Sequence, residues 1–417
     1  MGGLTLEYVK HLQCVLCGAT YEARPAATTC PHCGPAGILD VIYDYDRIAS
    51  HWDRDAVDRS TDPSHWRFLP LIPVDPATPR PLLRTGGTAL LNVPRAAESL
   101  GIRELWIKDE GGNPTGSLKD RASSVGVVKA LEAGAQVIAA ASTGNAASSL
   151  GGQAASVGVK TAIFVPHYAA MGKIAQLLMY GANVFAVKGS YTQAYDLCQA
   201  AVARYGWYNR SCAVNPYLVE GKKTCALEIA QQLGWKLPDW VAVSTGDGCT
   251  IAGIYKGFVD LVQLGWIPRV PKLLSVQAVG SPAIYAMWQT GVLRPAGEDT
   301  IADGISVSIP RNAHKAVRAV RESQGTIVLV SDEEIRDAMR WLGRLTGVFA
   351  EPAAGATVAG LRKAVADGTI GRGERVVAVV TGNGLKDPKN AIAAVGAPMG
   401  VEPDMAALVA ALPADLA

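Results

Sequence analysis

A chain of 417 residues is longer than one ordinary domain, so two or three domains are expected. Hydrophobic residues make up 49% of the sequence and charged residues only 18%, which excludes a disordered chain. The 39 basic and 37 acidic residues nearly cancel, and a net charge of +2 gives no support to a nucleic-acid-binding protein. The 44 glycines and the low aromatic content of 6% favour an α/β enzyme with small-residue helices packed on a parallel sheet.

Signals for membrane insertion or export are absent from the sequence. No uninterrupted apolar run reaches the roughly 18–20 residues that a membrane helix needs. The segment from Met1 to Glu7 lacks the charged and apolar regions of a signal peptide. We therefore expect a cytoplasmic protein without a membrane partner.

Four of the eight cysteines form two closely spaced pairs near the N-terminus. Cys14 and Cys17 are followed, after twelve intervening residues, by Cys30 and Cys33. Two such pairs have the ligand spacing of a zinc ribbon, and four protein ligands leave no open position, so the metal would be structural. His32 lies inside the second pair as a rival ligand. Reduced thiols or two disulfides in a small arm are the alternative, and disulfides are uncommon in the cytoplasm.

The elements that follow the ribbon change in character along the chain. Prolines and tryptophans alternate with charges over 49–83, which predicts an extended connector rather than a helix. From residue 84 onwards apolar strands alternate with helices of crossover length, which predicts a mostly parallel sheet with helices on both faces. The segment 280–325 has no pattern from which we can assign helices or strands. The predicted strands of this part are 105–108, 137–141, 160–165, 183–187, 241–243, 273–279, 327–330 and 376–380.

The first of four polar loops runs from Gly111 to Arg121 and opens a helix. Lys119 lies at the start of that helix, in the positive potential of its N-terminus. This potential lowers the pKa of the lysine and favours the neutral amine that nucleophilic or imine chemistry needs. A solvated Lys-Asp-Arg helix start is the alternative interpretation.

Three further polar loops each follow a predicted strand. Hydroxyl, amide and backbone N–H groups of Ser142-Thr143-Gly144-Asn145 suit an anion. The loop Thr245-Gly246-Asp247-Gly248-Cys249-Thr250 fits a phosphate cradle, although glycines also simply make turns. The last loop runs from Thr381 to Pro388. Because open α/β sheets bind ligands at the carboxyl ends of their strands, four such loops predict one binding crevice.

These runs resemble the threonine synthase branch of the fold-type II (tryptophan synthase β-like) pyridoxal-phosphate-dependent enzymes. The segment from Asn113 to Arg121 is similar to the lysine motif of that superfamily. Thr381 to Pro388 is similar to the TGxGLKDP run of threonine synthases, Glu220 to Thr224 to their EGxKT run, and Glu351 to Ala354 to their EPAS run. The resemblance covers about residues 80–395 and extends to the cysteine ribbon, which occurs in some members.

The resemblance implies a role for each loop. Lys119 stands where the family's lysine binds pyridoxal phosphate as an imine, and Asn145 where an amide binds the cofactor's ring hydroxyl. The loop from Thr245 to Thr250 stands at the cradle for the cofactor phosphate, and Thr381 at the hydroxyl that contacts the pyridine nitrogen. The residues implied to line or grip the substrate are Asn113, Ser142, Thr143 and Gly144.

The implied fold is α/β, with two parallel-sheet domains, the cofactor in the cleft between them and an N-terminal zinc ribbon. Dimers are usual for this fold, so we expect a homodimer. The expected parts are a ribbon over 1–48, a connector over 49–83, a large cofactor-binding domain over 84–124 and 216–417, and a small mobile domain over 125–215.

The implied reaction is that of a carbon–oxygen lyase, which converts O-phosphohomoserine and water to L-threonine and phosphate by γ-elimination and β-addition. Four positions depart from the family pattern around the substrate phosphate: Ala146, Cys212, Ala213 and Leu218 replace a threonine, an asparagine, a serine and an arginine. In addition, Asp247 replaces a common amide in the cofactor loop.

Three functions are therefore compared. Lys222, Lys223 or Arg210 supplies the missing positive charge if O-phosphohomoserine is the substrate. The alternative is a β- or γ-replacement or elimination on another activated amino acid, such as phosphoserine, an acylhomoserine, serine or threonine. A third possibility is a non-catalytic protein that binds a partner or nucleic acid through its ribbon, and the intact Lys119 and near-neutral charge oppose it.

Overall fold

The computed structural model of the chain describes residues 6–142, 144–167, 171–413 and 416, without the side chains of 171–173 and 191. Its strands form three sheets. The strands are β1 Val9–Cys14, β2 Thr20–Tyr21, β3 Leu39–Tyr43, β4 Leu90–Asn92, β5 Glu104–Asp109, β6 Val137–Ala141, β7 Lys160–Pro166, β8 Asn183–Val187, β9 Tyr208–Asn209, β10 Trp240–Ser244, β11 Lys272–Ala278, β12 Thr326–Val330 and β13 Arg375–Val380.

Helices connect and cover these strands. Within the described residues, no helix combines the length and the apolar character that crossing a membrane requires. The helices are α1 Tyr45–Ala49, α2 Arg54–Asp58, α3 Pro94–Leu100, α4 Lys119–Glu132, α5 Asn145–Ala155, α6 Met171–Met179, α7 Tyr191–Tyr205, α8 Tyr217–Gln232, α9 Cys249–Gln263, α10 Ala283–Thr290, α11 Ala313–Glu322, α12 Asp332–Thr346, α13 Pro352–Ala366, α14 Pro388–Val395 and α15 Met405–Ala411.

The largest sheet has the order β12-β11-β10-β13-β5-β4. Its neighbours pair in parallel except at one edge, where β4 runs antiparallel to β5. Along β10, Val241 and Val243 belong to the apolar core on one face, whereas Trp240 and Ala242 belong to the core on the other. Because both faces are covered by helices, the central strands β10 and β13 are almost wholly apolar, as the sequence predicts.

The second sheet has the order β8-β7-β6-β9 and is parallel throughout. It has a separate apolar core in which Ile138, Leu150 and Ile163 are fully buried. Both sheets follow the strand–helix alternation of the sequence, so the predicted parallel α/β fold is confirmed. The predicted domain boundaries stay predictions.

The N-terminal sheet is antiparallel, has the order β2-β1-β3 and docks on the rest of the chain. The hydroxyl of Tyr43 donates to the carboxylate of Glu220 at 2.8 Å and to the carbonyl of Leu71 at 3.0 Å. Lys315 pairs with Asp40 at 2.7 Å on the opposite side of β3. The ribbon is therefore fixed to α8 and α11, the helices that cover one face of the large sheet.

The connector over 49–83 is not extended throughout, so the sequence prediction is wrong there. Helix α2 begins where the Asp53 carboxylate accepts a hydrogen bond from the N–H of Ala56 at 2.8 Å. A 3₁₀ segment, His65–Leu71, begins where the hydroxyl of Ser64 accepts from the N–H of Trp66 at 3.2 Å. Side-chain caps of this kind stabilise short helical turns even in a proline-rich segment. Burial of Trp66, Phe68 and Leu71 docks the connector on the core.

The segment 280–325, which the sequence left unorganised, contains helices α10 and α11. Helix α11 buries Ala313, Ala316, Val317 and Val320, which recur at helical spacing. Charged residues occupy the other face of α11, so its apolar stripe is narrow and the sequence pattern did not reveal the helix. This segment covers the large sheet beside β11 and β12.

A buried network of charges holds the large domain together around Arg121. The guanidinium group bonds to Glu110 at 2.6 Å and to Glu228 of α8 at 2.7 Å. Lys108 of β5 pairs with the same Glu228 at 2.8 Å. All four side chains are inaccessible to solvent. Each charge therefore has a partner, and the first turn of α4 is tied to both α8 and β5.

Helices α4 and α8 approach closely at Gly221. A methyl group at this position would overlap the carbonyl oxygen of Arg121 and lie 3.0 Å from the Cα atom of Ala122. The contact is between two backbones, which cannot move apart as a flexible side chain would. Only glycine fits here.

We expect the substitution Gly221→Ala to lower the free energy of unfolding by about 1–3 kcal/mol, because the two helices must separate to admit the methyl group. Denaturant unfolding measures this change. The matched control is Gly343→Ala in α12, where no described atom lies within 4 Å of the added methyl group. The control is expected to raise the free energy of unfolding by up to about 1 kcal/mol. Equal stability of the two variants would contradict the close packing of α4 and α8.

Candidate active site

Lys119 lies at the first residue of α4, on a loop that is pinned to the last polar loop of the sequence. The N–H of Leu118 donates to the carbonyl of Thr381 at 2.9 Å, and the N–H of Asn383 donates to the carbonyl of Gly116 at 3.0 Å. Gly116 has a φ of +85°, which glycine adopts without strain. Two of the four predicted loops therefore meet, as the parallel sheet requires.

The pKa of the Lys119 amine is lowered to about 8. Burial is the largest cause, and the positive charge of Lys222 is the next. The carboxylate of Glu351 acts in the opposite direction and raises this pKa. The direction agrees with the sequence prediction. The cause differs, because desolvation and a second lysine dominate where the sequence indicated only the helix N-terminus.

Asn145 is the first residue of α5, on the second predicted loop. Its Nδ2 donates to Oε1 of Glu351 at 2.7 Å. Its Oδ1 atom is buried and has no hydrogen-bond partner among the described residues. An orphaned acceptor of this kind is available to a hydroxyl or N–H group of a bound molecule. The sequence did not foresee the contact with Glu351, which lies at the start of α13.

The rest of this loop is only partly described. The N–H of Gly144 donates to the hydroxyl of Ser142 at 3.2 Å, so the loop forms a local turn before α5. Gly144 occupies the N-cap position of the helix. Thr143, which the sequence predicts to bind the substrate, lies outside the described residues.

The loop from Thr245 to Thr250 joins β10 to α9 and is shaped by its glycines. Gly248 caps α9 with a φ of +90°. A methyl group at Gly246 would lie 2.7 Å from the Cα atom of Ile305. The first N–H groups of a helix have no intrahelical partner, so this loop presents donors to an anion. Its geometry suits the predicted phosphate cradle.

Asp247 of this loop directs its carboxylate at a neighbouring loop. It accepts hydrogen bonds from the N–H of Arg311 at 2.7 Å and from the thiol of Cys249 at 3.0 Å. The side chain of Asn312 approaches the same carboxylate at 3.4 Å. Burial raises the pKa of Asp247. These contacts account for an acidic residue in a loop that would otherwise repel a phosphate.

The side chain of Asn113, predicted to line the substrate site, is held at both ends by protein groups. Its Oδ1 accepts from the N–H of Gly86 at 3.0 Å, and its Nδ2 donates to Glu110 at 2.8 Å. The residue is almost completely buried. Asn113 therefore braces the loop that precedes Lys119 and connects it to the network around Arg121.

Cys212, one of the positions that depart from the family pattern, lies beside Lys222. Nζ of Lys222 is 3.4 Å from Sγ of Cys212, and Nη1 of Arg210 is 3.9 Å from the same sulfur. The pKa of the Cys212 thiol is lowered well below its usual value, through a hydrogen bond from Cys249 and the positive charges of the two basic side chains. The scattered spacing of these residues in the sequence did not reveal this cluster.

The side chains of two other residues that the sequence places near the substrate phosphate are engaged by other parts of the protein. Leu218 is fully buried and packs against Gly126 of α4. Lys223 is fully buried and pairs with Glu220 and Asp260 on the ribbon side of α8. Of the three basic residues considered as sources of positive charge, Lys223 is therefore excluded by its ion pairs.

The sulfur atoms of the four N-terminal cysteines form a compact cluster. The sulfurs of Cys14, Cys17, Cys30 and Cys33 all lie within 4.8 Å of one another. A methyl group at Gly37 would lie 2.6 Å from Cβ of Cys33, so the chain closes tightly around the second pair. Four converging thiols are a donor set that suits a tetrahedral metal ion.

Comparisons with known proteins agree with this arrangement. Residues 82–382 match the family of pyridoxal-phosphate dependent enzymes. The chain is 40% identical to a threonine synthase of Methanosarcina acetivorans over 404 residues, covering 95% of this chain and 97% of the relative. It is 39% identical to a threonine synthase of Methanocaldococcus jannaschii, covering 94% of this chain and 97% of the relative.

Solved structures support the same fold. Diaminopropionate ammonia lyase from Escherichia coli, in complex with an aminoacrylate–PLP azomethine intermediate, aligns with a TM-score of 0.64 at 17% identity, over 77% of this chain and 88% of that one. Threonine deaminase isoform 2 from Solanum lycopersicum aligns with a TM-score of 0.62 at 20% identity, over 71% and 79%. The fold-type II architecture predicted from the sequence is thus confirmed. The chain belongs to the threonine synthase branch of the pyridoxal-phosphate dependent enzymes.

Proposed function

We propose that the chain converts O-phosphohomoserine and water to L-threonine and phosphate. The observation that carries this proposal is the partly buried amine of Lys119, with a pKa lowered to about 8, on a loop that is hydrogen-bonded to the loop of Thr381. Relatives named threonine synthase, 40% and 39% identical over nearly the whole chain, support the choice of reaction.

The residues around Lys119 fit pyridoxal phosphate as the cofactor. The orphaned Oδ1 of Asn145 suits the ring hydroxyl, and the glycine loop from Thr245 to Thr250 suits the phosphate. Thr381 would offer its hydroxyl to the ring nitrogen. When bound, this cofactor stabilises negative charge on the carbon atoms next to the substrate's amino group.

Within this proposal, Lys119 takes the α proton of the substrate and delivers protons at later steps. An amine with a pKa near neutrality is well suited to both roles, since it gains and loses a proton readily. The loop of Ser142, Thr143 and Gly144 holds the α-carboxylate. Closure of the small domain over 125–215 excludes water until water is needed for addition at the β carbon.

A second candidate function is a replacement or elimination on another activated amino acid. The observation that favours it is the placement of Leu218, which packs against α4 where the family pattern has an arginine. Phosphoserine, acylhomoserines, serine and threonine are the substrates of this class to compare.

We also propose that the cysteine cluster binds zinc in a structural role. Its four converging sulfurs and its position in a three-stranded ribbon support this assignment. The ribbon lies on α8 and α11, and four thiol ligands leave no open position on the metal, so the metal would stabilise the fold rather than take part in the reaction.

We further propose that the enzyme works as a cytoplasmic homodimer. Apolar side chains of the C-terminal segment support an additional subunit contact, because they are exposed in the single chain. Exposed members of this group include Met399, Met405 and Val409.

Catalytic efficiency should be highest on O-phosphohomoserine when it is compared with O-acetylhomoserine, O-phosphoserine, serine and threonine. The measurement is kcat/KM for each compound, with the amino-acid product identified and phosphate release followed where the compound carries phosphate. A higher efficiency on any other compound would replace the first candidate function by the second.

The rate at which pyridoxal phosphate binds to the cofactor-depleted protein should rise with pH and level off above about 8. Only the neutral amine reacts, and its fraction increases as the pH passes the lowered pKa of Lys119. Stopped-flow absorbance of the bound cofactor measures this rate. The control, Lys119→Ala, should give neither the bound-cofactor band nor turnover. A rate that continues to rise to pH 10, near the ordinary lysine pKa of about 10.4, would refute the lowered value.

The double substitution of Cys14 and Cys17 by serine should remove zinc and lower the melting temperature, with a smaller effect on the rate per folded molecule. Elemental analysis of the reduced protein and thermal unfolding provide the two measurements. Cys198→Ser is the matched control, because Cys198 is also buried but lies in α7. Absence of zinc from freshly purified wild-type protein would disprove the metal site.

A further inference from the structure

Two buried basic side chains converge on one atom beside the candidate catalytic lysine. Nζ of Lys222 and Nη1 of Arg210 lie 3.4 Å and 3.9 Å from Sγ of Cys212. Lys222 is only 2% exposed and Arg210 only 4%. The positive charge of Lys222 also lowers the pKa of Lys119, so three basic groups lie in one region.

Carboxylates do not neutralise this pair within the described part of the chain, where neither Lys222 nor Arg210 forms an ion pair. Arg210 donates from Nε and Nη2 to the hydroxyl of Ser123, at 3.2 Å and 3.0 Å. The carboxylate of Asp247 raises the pKa of Lys222, but it is itself engaged by the loop of Arg311 and Asn312. Burial of positive charge without a carboxylate is costly unless an anion compensates it.

The Cys212 thiol supplies at most one negative charge to two basic groups. A phosphate dianion carries more charge and several acceptor oxygens, so it matches an ammonium and a guanidinium that point to the same place. The hydroxyl of Ser123, which is also hydrogen-bonded to Ser149 at 2.6 Å, adds a neutral polar group to the same surroundings.

We infer that Lys222 and Arg210 bind the phosphate group of the substrate, and that Lys222 determines the preference for phosphorylated amino acids. The inference rests on the proposed function, because it assigns the leaving group of that reaction to named residues. It also accounts for the departures at Cys212 and Leu218, since the positive charge is supplied from other positions.

The position of Lys222 on α8 explains how it can supply the positive charge that the family pattern places at residue 218. Leu218 and Lys222 are four residues apart and therefore lie on neighbouring turns of one helix face. Leu218 packs into the contact with Gly126 of α4, whereas the β-carbon of Lys222 packs against Gly253 of α9. The basic group is thus one turn further along the same helix.

The cofactor also carries a phosphate group, so binding of the substrate's phosphate must be distinguished from binding of the cofactor's phosphate. Lys222 contacts Cys212, which lies with Arg210 on the segment after β9, whereas the predicted cradle for the cofactor phosphate is the loop from Thr245 to Thr250. Cys249 and Asp247 of that loop also raise the pKa of Lys222. The assignment of Lys222 to the substrate's phosphate therefore rests on its convergence with Arg210, which lies outside that loop. An effect of Lys222 on cofactor affinity alone would contradict this assignment.

The test is calorimetric titration of inorganic phosphate into the cofactor-loaded protein, which needs no turnover. K222Q should weaken phosphate binding by about tenfold or more, because a charge-assisted hydrogen bond is lost. K222R should restore most of the affinity, since it keeps the charge. The control is K160Q, which removes an exposed lysine at the start of β7 and should leave phosphate affinity unchanged. Bound-cofactor absorbance verifies that each variant is folded and loaded.

Kinetics provide a second readout. K222Q should raise KM for O-phosphohomoserine about tenfold more than it raises KM for O-acetylhomoserine, because any change at Lys119 affects both substrates alike. Unchanged phosphate affinity in K222Q, absence of phosphate binding in the wild-type protein, or a loss confined to cofactor affinity would each overturn the inference. If phosphate binds through Lys222 but O-phosphohomoserine is not converted, the inference stands and the proposed function fails.

Discussion

The position of the candidate catalytic lysine depends on the buried guanidinium of Arg121, two residues further along α4. Its bonds to Glu110 and Glu228 join the turn before Lys119, the first turn of α4 and the middle of α8. Removal of one partner from a buried pair leaves an uncompensated charge, at a cost of about 3–5 kcal/mol. The network therefore fixes the backbone from which Lys119 projects, while Lys119 itself remains chemically available.

Helix α8 links this structural role to the chemistry of the site. Its Glu228 belongs to the network, its Gly221 permits the close approach of α4, and its Lys222 lowers the pKa of Lys119. Helix α8 thus helps to position the amine of Lys119 and adds to the lowering of its pKa, of which burial is the largest cause. The same helix also contacts the N-terminal ribbon, because Glu220, which pairs with Lys223, accepts a hydrogen bond from Tyr43. Loss of the ribbon is therefore expected to disturb the helix that supports the site.

Features that depend on local sequence were predictable, and features that depend on distant contacts were not. The strand over 137–141 and the helix that begins near Lys119 follow from apolar pattern and polar loop signals. The contact between Asn145 and Glu351 joins residues 206 positions apart, and no local pattern encodes it. The short helices of the connector were missed because proline content outweighed the capping side chains in the sequence prediction.

We expect this site to break the bond between the γ carbon and the phosphate oxygen of its substrate and to add water at the β carbon. The most direct measurement is to run the reaction on O-phosphohomoserine in ¹⁸O-labelled water and determine the label in each product by mass spectrometry. We expect one labelled oxygen in the hydroxyl group of threonine and none in the released phosphate. Label in the phosphate, or release of phosphate without threonine, would contradict this expectation.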